Sequence, residues 1–358
     1  MPVLNRKKMR SDVLKMIDNQ FKFQMKGVAE IKKRFPNEKF DFMPLWQRVL
    51  KINEQVFKNE IDREEATKLL TMDEMLYLSK VMRFMFDFVA DQDQKEHPVP
   101  ENVKIKSIDA DGVSAEWQIV PNALKNKVIL YIHGGGFILG SINSHRLLTV
   151  AIGIETKLQV LSINYRLAPE NNFPAPLNDG VTAYKWLLSS GIKPENIVIM
   201  GDSAGGNLTL VTLLKLKKDG IKLPAGAVML SPIVDFTFSD ESFLENAETD
   251  PMLADVGAFW WSYAYFKDAD PKNPLISPLF GDLKGLPPLL FQASKCESLY
   301  SDSVRIVDKA KKAGVDVTLQ TWDDMPHVFQ GFGLEILPEA KEAIKKIEEF
   351  IHKVIPFD

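Results

Sequence analysis

Ile197-Val198-Ile199-Met200-Gly201-Asp202-Ser203-Ala204-Gly205-Gly206 is the stretch on which the fold turns. Four consecutive apolar residues, three of them β-branched, read as a short strand buried on both faces. The turn that follows has the pattern G-x-S-x-G, and residues 208–218 beyond it carry a helical pattern. Strand, sharp turn and helix together are the context in which such a serine is held out at the end of a sheet. The glycines suit a strained turn in which nothing bulky fits beside the serine. A helix starting just behind Ser203 points backbone N–H groups toward any negative charge that develops there.

The same texture repeats outward from the turn. Residues 103–108 and 115–120 read as strands that open a sheet, joined by a turn at Asp111 and Gly112, and the runs at 128–132, 160–163, 227–230, 289–293 and 315–321 read as further strands. Helix-length amphipathic stretches, such as residues 208–218 and 303–313, separate most of them. This alternation predicts an α/β architecture, a doubly wound and mostly parallel sheet. Residues 1–95 read instead as helical and rich in Met, Lys and Phe, broken at Pro36 and Pro44. The expected organisation is a helical amino-terminal cap region over residues 1–95 and a catalytic domain over 96–358. A cap segment is inserted at about residues 233–278. That segment carries Phe236, Phe238, Phe243, Phe259, Trp260, Trp261, Tyr263, Tyr265 and Phe266. Together with Met72, Met75, Met82, Met85, Phe84, Phe86 and Phe88 it is expected to build an adaptable apolar pocket. The alternative is that these residues are the cap's own core.

The bulk properties bound the partners. The chain has 358 residues, 45% hydrophobic and 26% charged, with a formal net charge of −4, which leaves no basic footprint for nucleic acid or an anionic membrane. No stretch approaches the roughly 20 apolar residues of a membrane span. The basic start (Arg6, Lys7, Lys8, Arg10) is not followed by the apolar run of a signal peptide. The single cysteine, Cys296, excludes an intramolecular disulfide and suits a reducing compartment, so a cytoplasmic address is expected. Lying outside the G-x-S-x-G turn, Cys296 is read as a packing residue and not as a nucleophile.

A second glycine motif, His133-Gly134-Gly135-Gly136, follows the strand at 128–132. Successive glycines expose backbone N–H groups with no side chain in the way, as a tetrahedral oxyanion requires. A phosphate-binding nest is disfavoured, because no Lys-Ser/Thr pair follows and no G-x-G-x-x-G helix start is present.

The two motifs together resemble the hormone-sensitive-lipase-like family of bacterial esterases, in the α/β-hydrolase superfamily. Between them, Asn164-Tyr165-Arg166-Leu167-Ala168-Pro169-Glu170 and Phe173-Pro174-Ala175-Pro176 are similar to that family's segment in the same place. The resemblance runs from about residue 100 to the C-terminus. It implies the α/β-hydrolase fold, an oxyanion hole formed by the N–H groups of Gly135, Gly136 and Ala204, and a loop-shaping rather than catalytic role for His133.

A serine hydroxyl is a weak nucleophile until an imidazole takes its proton. Of the five histidines, His97, His145 and His352 are read as surface or packing residues. His327, in a loop after the last expected strand, lies where this fold delivers its base. The family has His-Gly-Phe there, and Val328 stands in place of the glycine. The third member of the triad holds the imidazole's tautomer and comes from the loop after the penultimate strand. Glu297 and Asp302 both follow residues 289–293. The family has Asp-Pro-Leu where Glu297-Ser298-Leu299 stands here, which favours Glu297 as the acid. Asp302, at the start of a helix, is explained by the helix dipole, with an expected loss of roughly 0.3–1 kcal/mol on replacement by Asn. Asp323 and Asp324 are read as capping or solvating the loop.

The expected activity is two-step acyl transfer on small-molecule carboxylic esters of short to medium acyl chain. Ser203 is the nucleophile, His327 the base and Glu297 the acid, and no metal or organic cofactor is required. Neither nucleic acid nor a membrane span is expected, and homodimerisation is left open. The rival readings are an amidase, formamidase or peptidase on the same machinery, and a non-catalytic binding protein such as the plant gibberellin receptors. Those receptors lack the catalytic histidine, which is present here as His327.

Overall fold

The computed structural model describes residues 9–58, 60–239, 242–250, 252–253, 264–332 and 336–355. All the expected strands form, and they join one sheet in the order β1-β2-β4-β3-β5-β6-β7-β8. β1 (Lys104–Asp109) and β2 (Ser114–Ile119) make an antiparallel hairpin, and β2 pairs antiparallel with β4 (Leu158–Asn164). From β4 onward the sheet is parallel through β3 (Leu124–Ile132), β5 (Ile197–Asp202), β6 (Gly226–Leu230), β7 (Leu289–Ser294) and β8 (Val317–Trp322).

The helices are α1 (Ser11–Arg34), α2 (Phe42–Phe57), α3 (Arg63–Lys68), α4 (Met72–Glu96), α5 (Ile142–Thr156), α6 (Ala175–Ser189) and α7 (Ala204–Lys218). The short α8 (Ser242–Glu245) follows, then α9 (Tyr300–Lys312), the short α10 (Phe329–Phe332) and α11 (Pro338–Val354). Among the described residues no helix is long and apolar enough to cross a membrane.

Strand periodicity explains how continuous apolar runs are used. On β3, Val128, Leu130 and Ile132 face one layer of helices, while Ile129 and Tyr131 face the other, where Ile344, Ile347 and Ile351 of α11 pack. Every residue of β5 and β6 is buried. A central strand covered on both faces has no place for alternation with polar residues.

The amino-terminal helices do not close a core of their own. Ile31, Leu45, Val49, Leu70, Leu78 and Val81 belong to the same apolar cluster as Ile138, Leu139 and the sheet. At its start α1 packs Val13 and Met16 against Trp322, Met325, Phe329 and Leu337. α4 begins with a capping box between Thr71 and Glu74 and runs on to Glu96. Pro44 does not interrupt a helix, since it falls in the first turn of α2, where its missing N–H has no intrahelical acceptor to satisfy.

Candidate active site

Parallel strands bring the ends of β3, β5, β7 and β8 to one edge of the sheet, and each candidate residue stands just beyond one of them. Ser203 links β5 to α7 with φ 51° and ψ −117°, a strained conformation for a residue with a side chain. Its N–H donates to the carbonyl of Leu230 at 2.7 Å, which ties the turn to β6. The turn tolerates no bulk. A Cβ on Gly205 would lie 2.0 Å from the carbonyl oxygen of Ile132, so only glycine lets α7 start against β3.

Beyond β3 the glycine loop folds back on itself, and Leu139 N–H donates to Gly135 O at 2.8 Å. Gly135, at φ +112°, occupies a conformation that is readily available only to glycine. The segment 164–170 holds this loop in place. Asn164 Oδ1 accepts the Ile142 N–H at 2.8 Å, and the Tyr165 hydroxyl donates to His133 O at 3.0 Å. The Tyr165 ring also stacks on that of His133, with centroids 4.3 Å apart. Arg83 on α4 donates to the carbonyls of Ile138 and Ala168 and pairs with Glu170, linking the amino-terminal helices to the same loop.

Glu297 and His327 come from the loops after β7 and β8. Oε2 of Glu297 lies 2.7 Å from Nδ1 of His327, and Oε1 accepts the Ser294 N–H at 3.1 Å. The carboxylate is fully buried and His327 is only 5% exposed. Burial pushes the Glu297 carboxyl up from its ordinary range, and the hydrogen bond to His327 only partly offsets it. Burial lowers the His327 imidazole, but the hydrogen bond and charge of Glu297, with the charges of Asp250 and Asp202, outweigh it, so its pKa sits above the ordinary value. Ser203, His327, Gly135 and Gly136 line one cavity of about 120 Å³. Ala204 is the first residue of α7, directly after Ser203.

Val328, next to His327, has φ +52°. For a β-branched residue this is an outlier that costs on the order of 1–3 kcal/mol.

The polar residues around the site include two whose placement the sequence reading missed. Asp202, inside the G-x-S-x-G turn, is buried, and its Oδ1 accepts the Tyr131 hydroxyl at 2.7 Å and the Gly134 N–H at 3.0 Å. Its Oδ2 lies 3.3 Å from Nε2 of His145. His145 is therefore no surface residue, since it is mostly enclosed beside the cavity, with its side chain 10% exposed, and forms a second His–carboxylate pair there. Burial raises Asp202, but His145 and the Tyr131 hydrogen bond bring it below its usual range. Burial lowers His145, and Asp202 more than reverses that, so both partners favour the ionised pair. His133 behaves oppositely, pushed down to about 3 by burial and by the positive charge of His145, so it stays neutral and shapes the loop. Residue 145 sits four positions beyond Ser141, the N-cap of α5, and a histidine in a first helical turn after a glycine loop was the available signal.

The remaining candidates separate cleanly. His97 closes the C-terminal end of α4 and His352 pairs with Glu348 on α11, and neither lines the cavity. Cys296 is partly buried, and burial raises its thiol, so no reactive thiolate is favoured. Asp323 pairs with Lys295 at 2.9 Å. Of the Met and Phe row on α4, only Phe86 reaches the cavity. Met75 is core, Met72 is exposed, and Met85 and Phe88 pack on Gly27 of α1. The aromatic residues of the 233–278 segment also turn inward, with Phe236 and Tyr265 joining Phe137 in a buried cluster. Phe259, Trp260, Trp261 and Tyr263 lie outside the described residues.

Asp302 corrects the expectation of a minor helix-dipole role. It is fully buried, and its Oδ2 accepts the N–H groups of Val234 and Asp235 at 2.6 and 3.2 Å, anchoring the chain after β6. Asp302→Asn offers a weaker acceptor and a surplus donor there. It is expected to lower stability by about 1–3 kcal/mol in urea unfolding, well above the surface-dipole figure.

Residues 129–331 match a family model described as the alpha/beta hydrolase fold. An esterase from Acinetobacter venetianus is 39% identical over 264 residues, covering 73% of this chain and 86% of that protein. An acetyl-hydrolase from Streptomyces hygroscopicus is 38% identical, covering 66% of this chain and 79% of that protein. A crystal structure of an esterase from the bacterial hormone-sensitive lipase family superposes with a TM-score of 0.74 at 38% identity. It covers 88% of this chain and 100% of its own. The chain belongs to the hormone-sensitive-lipase-like esterases of the α/β-hydrolase superfamily. As a member of that family it is a carboxylic ester hydrolase. In this hormone-sensitive-lipase-like chain, segments 133–136 and 201–206 line the cavity through Gly135, Gly136, Asp202 and Ser203, and 164–170 braces the glycine loop through Tyr165.

Proposed function

We propose that this esterase works through a Ser203–His327–Glu297 triad and an acyl-enzyme intermediate. The observation that carries the reading is the buried Glu297–His327 pair, 2.7 Å apart, opening onto the cavity that Ser203 and the glycine loop also line. His327 accepts the Ser203 proton as the serine attacks the ester carbonyl, with Nδ1 held by Glu297 in the tautomer that leaves Nε2 free to do so. The oxyanion is stabilised by the N–H groups of Gly135, Gly136 and Ala204, helped by the N-terminus of α7. His327 then gives the proton to the leaving alcohol, and a water repeats the cycle to release the acid.

The small cavity supports esters with short to medium acyl chains, as does the similarity to an acetyl-hydrolase. The amino-terminal helices and the segment near 233–278 act as its cap, a role supported by Phe86 on one side and by Met252 and Leu253 on the other.

A fluorophosphonate probe tests the assignment. Peptide mapping of the labelled protein should find the adduct on Ser203 alone, and labelling should disappear when an activated short-chain ester is in excess. An adduct on any other residue, or faster turnover of anilides than of the matching esters, would overturn the reading.

A further inference from the structure

Val328 combines two features: a left-handed backbone at φ +52° and a place in the wall of the cavity that holds Ser203 and His327. Its backbone is clamped from both sides. His327 before it is held by Glu297, and Phe329 after it is fully buried against Trp322, with ring centroids 5.2 Å apart. The Val328 N–H points at Ser231 Oγ, 3.4 Å away, and its carbonyl accepts the Gly331 N–H at 3.0 Å. With the loop so fixed, the chain cannot move to negative φ, and glycine is the residue that would occupy the position without strain. A valine there contributes nothing to the loop's conformation. What it adds is volume. A Cβ built on Gly331 would meet Val328 Cγ1 at 4.0 Å and Leu148 Cδ2 at 3.4 Å, so these two apolar side chains converge on the space that Gly331 leaves open in the cavity wall.

We infer that Val328 is a specificity-determining residue that limits the size of the ester's alcohol group. The inference rests on the triad reading above. In that reaction the imidazole that takes the serine proton must return it to the alkoxy oxygen. The alcohol therefore lies against His327 and the residue joined to it, while the carbonyl oxygen lies toward Gly135 and Gly136. The Val328 methyls thus meet the alcohol, and esters of small unbranched alcohols are favoured over branched or cyclic ones.

Val328→Gly and Val328→Ala, compared with the wild type on ethyl, butyl and cyclohexyl acetates, test this. In both variants the ratio of kcat/KM for cyclohexyl acetate to that for ethyl acetate should rise by roughly tenfold or more, the scale on which a pocket discriminates by a methylene or two. Over p-nitrophenyl acetate to octanoate, where only the acyl group changes, the ratios should stay within about twofold of wild type. Val328→Gly should also melt at a higher temperature than Val328→Ala, since glycine alone escapes the positive-φ strain. An unchanged alcohol ratio in both variants, or a shift confined to the acyl series, would overturn the assignment. Failure of the underlying triad shows separately, as hydrolysis that survives Ser203→Ala.

Discussion

Ser203→Ala is expected to reduce kcat for short-chain esters by roughly 10⁵–10⁶-fold, with the thermal unfolding transition preserved. The nucleophile is the atom that forms the acyl-enzyme, so no neighbouring group can take over, and what survives is the oxyanion hole and substrate binding. The backbone around Ser203 is held by bonds that do not involve the hydroxyl, including its own N–H to Leu230 O. Alanine therefore leaves the turn intact. His327→Ala should cost a similar factor in kcat, and the double variant should be no worse than either single one, because the residues act as a unit. His327→Ala is the less clean test, since it strands the buried Glu297 carboxylate without its partner and lowers stability as well. Steady-state kinetics beside circular-dichroism melting curves check both parts. Near-normal turnover in well-folded Ser203→Ala would remove the nucleophile from the proposal.

Glu297→Gln should lower kcat by about 10⁴-fold, the loss expected when the carboxylate of a triad becomes an amide. The substituted amide can still reach Nδ1 of His327, but it offers no negative charge to the imidazolium and can hold the wrong tautomer. The pH profile separates this role from mere packing. The base works only when neutral, so kcat/KM falls as pH drops through the His327 pKa. In the wild type, burial lowers that pKa and the Glu297 hydrogen bond and charge more than reverse it, so the acid limb should lie above the ordinary imidazole value of about 6.5. In Glu297→Gln burial is opposed only by the smaller influences of the Asp250 and Asp202 charges, and the limb should move to lower pH, even as the plateau collapses. A plateau within tenfold of wild type, or a large kinetic loss in Asp302→Asn instead, would show that the acid is misassigned.

How much of this was legible beforehand depended on how local the causes are. The apolar runs, the strand–turn–helix around Ser203 and the glycine loop after β3 are properties of ten or so adjacent residues. Their spacing was enough for the sheet and for the serine's position. Glu297 and His327 were candidates because each follows its own strand closely and parallel strands deliver their ends to one edge, and the family resemblance favoured Glu297 over Asp302. Burial of Asp302 was not legible, because its partners, Val234 and Asp235, arrive from a segment 68 and 67 residues earlier. From the sequence a carboxylate at a helix start looks the same whether water or a backbone amide meets it.

The sequence by itself determined the α/β architecture and the strand–turn–helix around Ser203, since these follow from periodicity and turn chemistry, while the order of the proposed triad came with the family resemblance. Only the tertiary structure decided which polar groups share a buried space. It set His145 against Asp202, 57 positions apart, turned most of the Met and Phe row of α4 into packing, and forced Val328 into a left-handed conformation beside His327. Pairing of charges and the cost of a backbone angle both depend on what arrives from elsewhere in the chain. No local pattern encodes them.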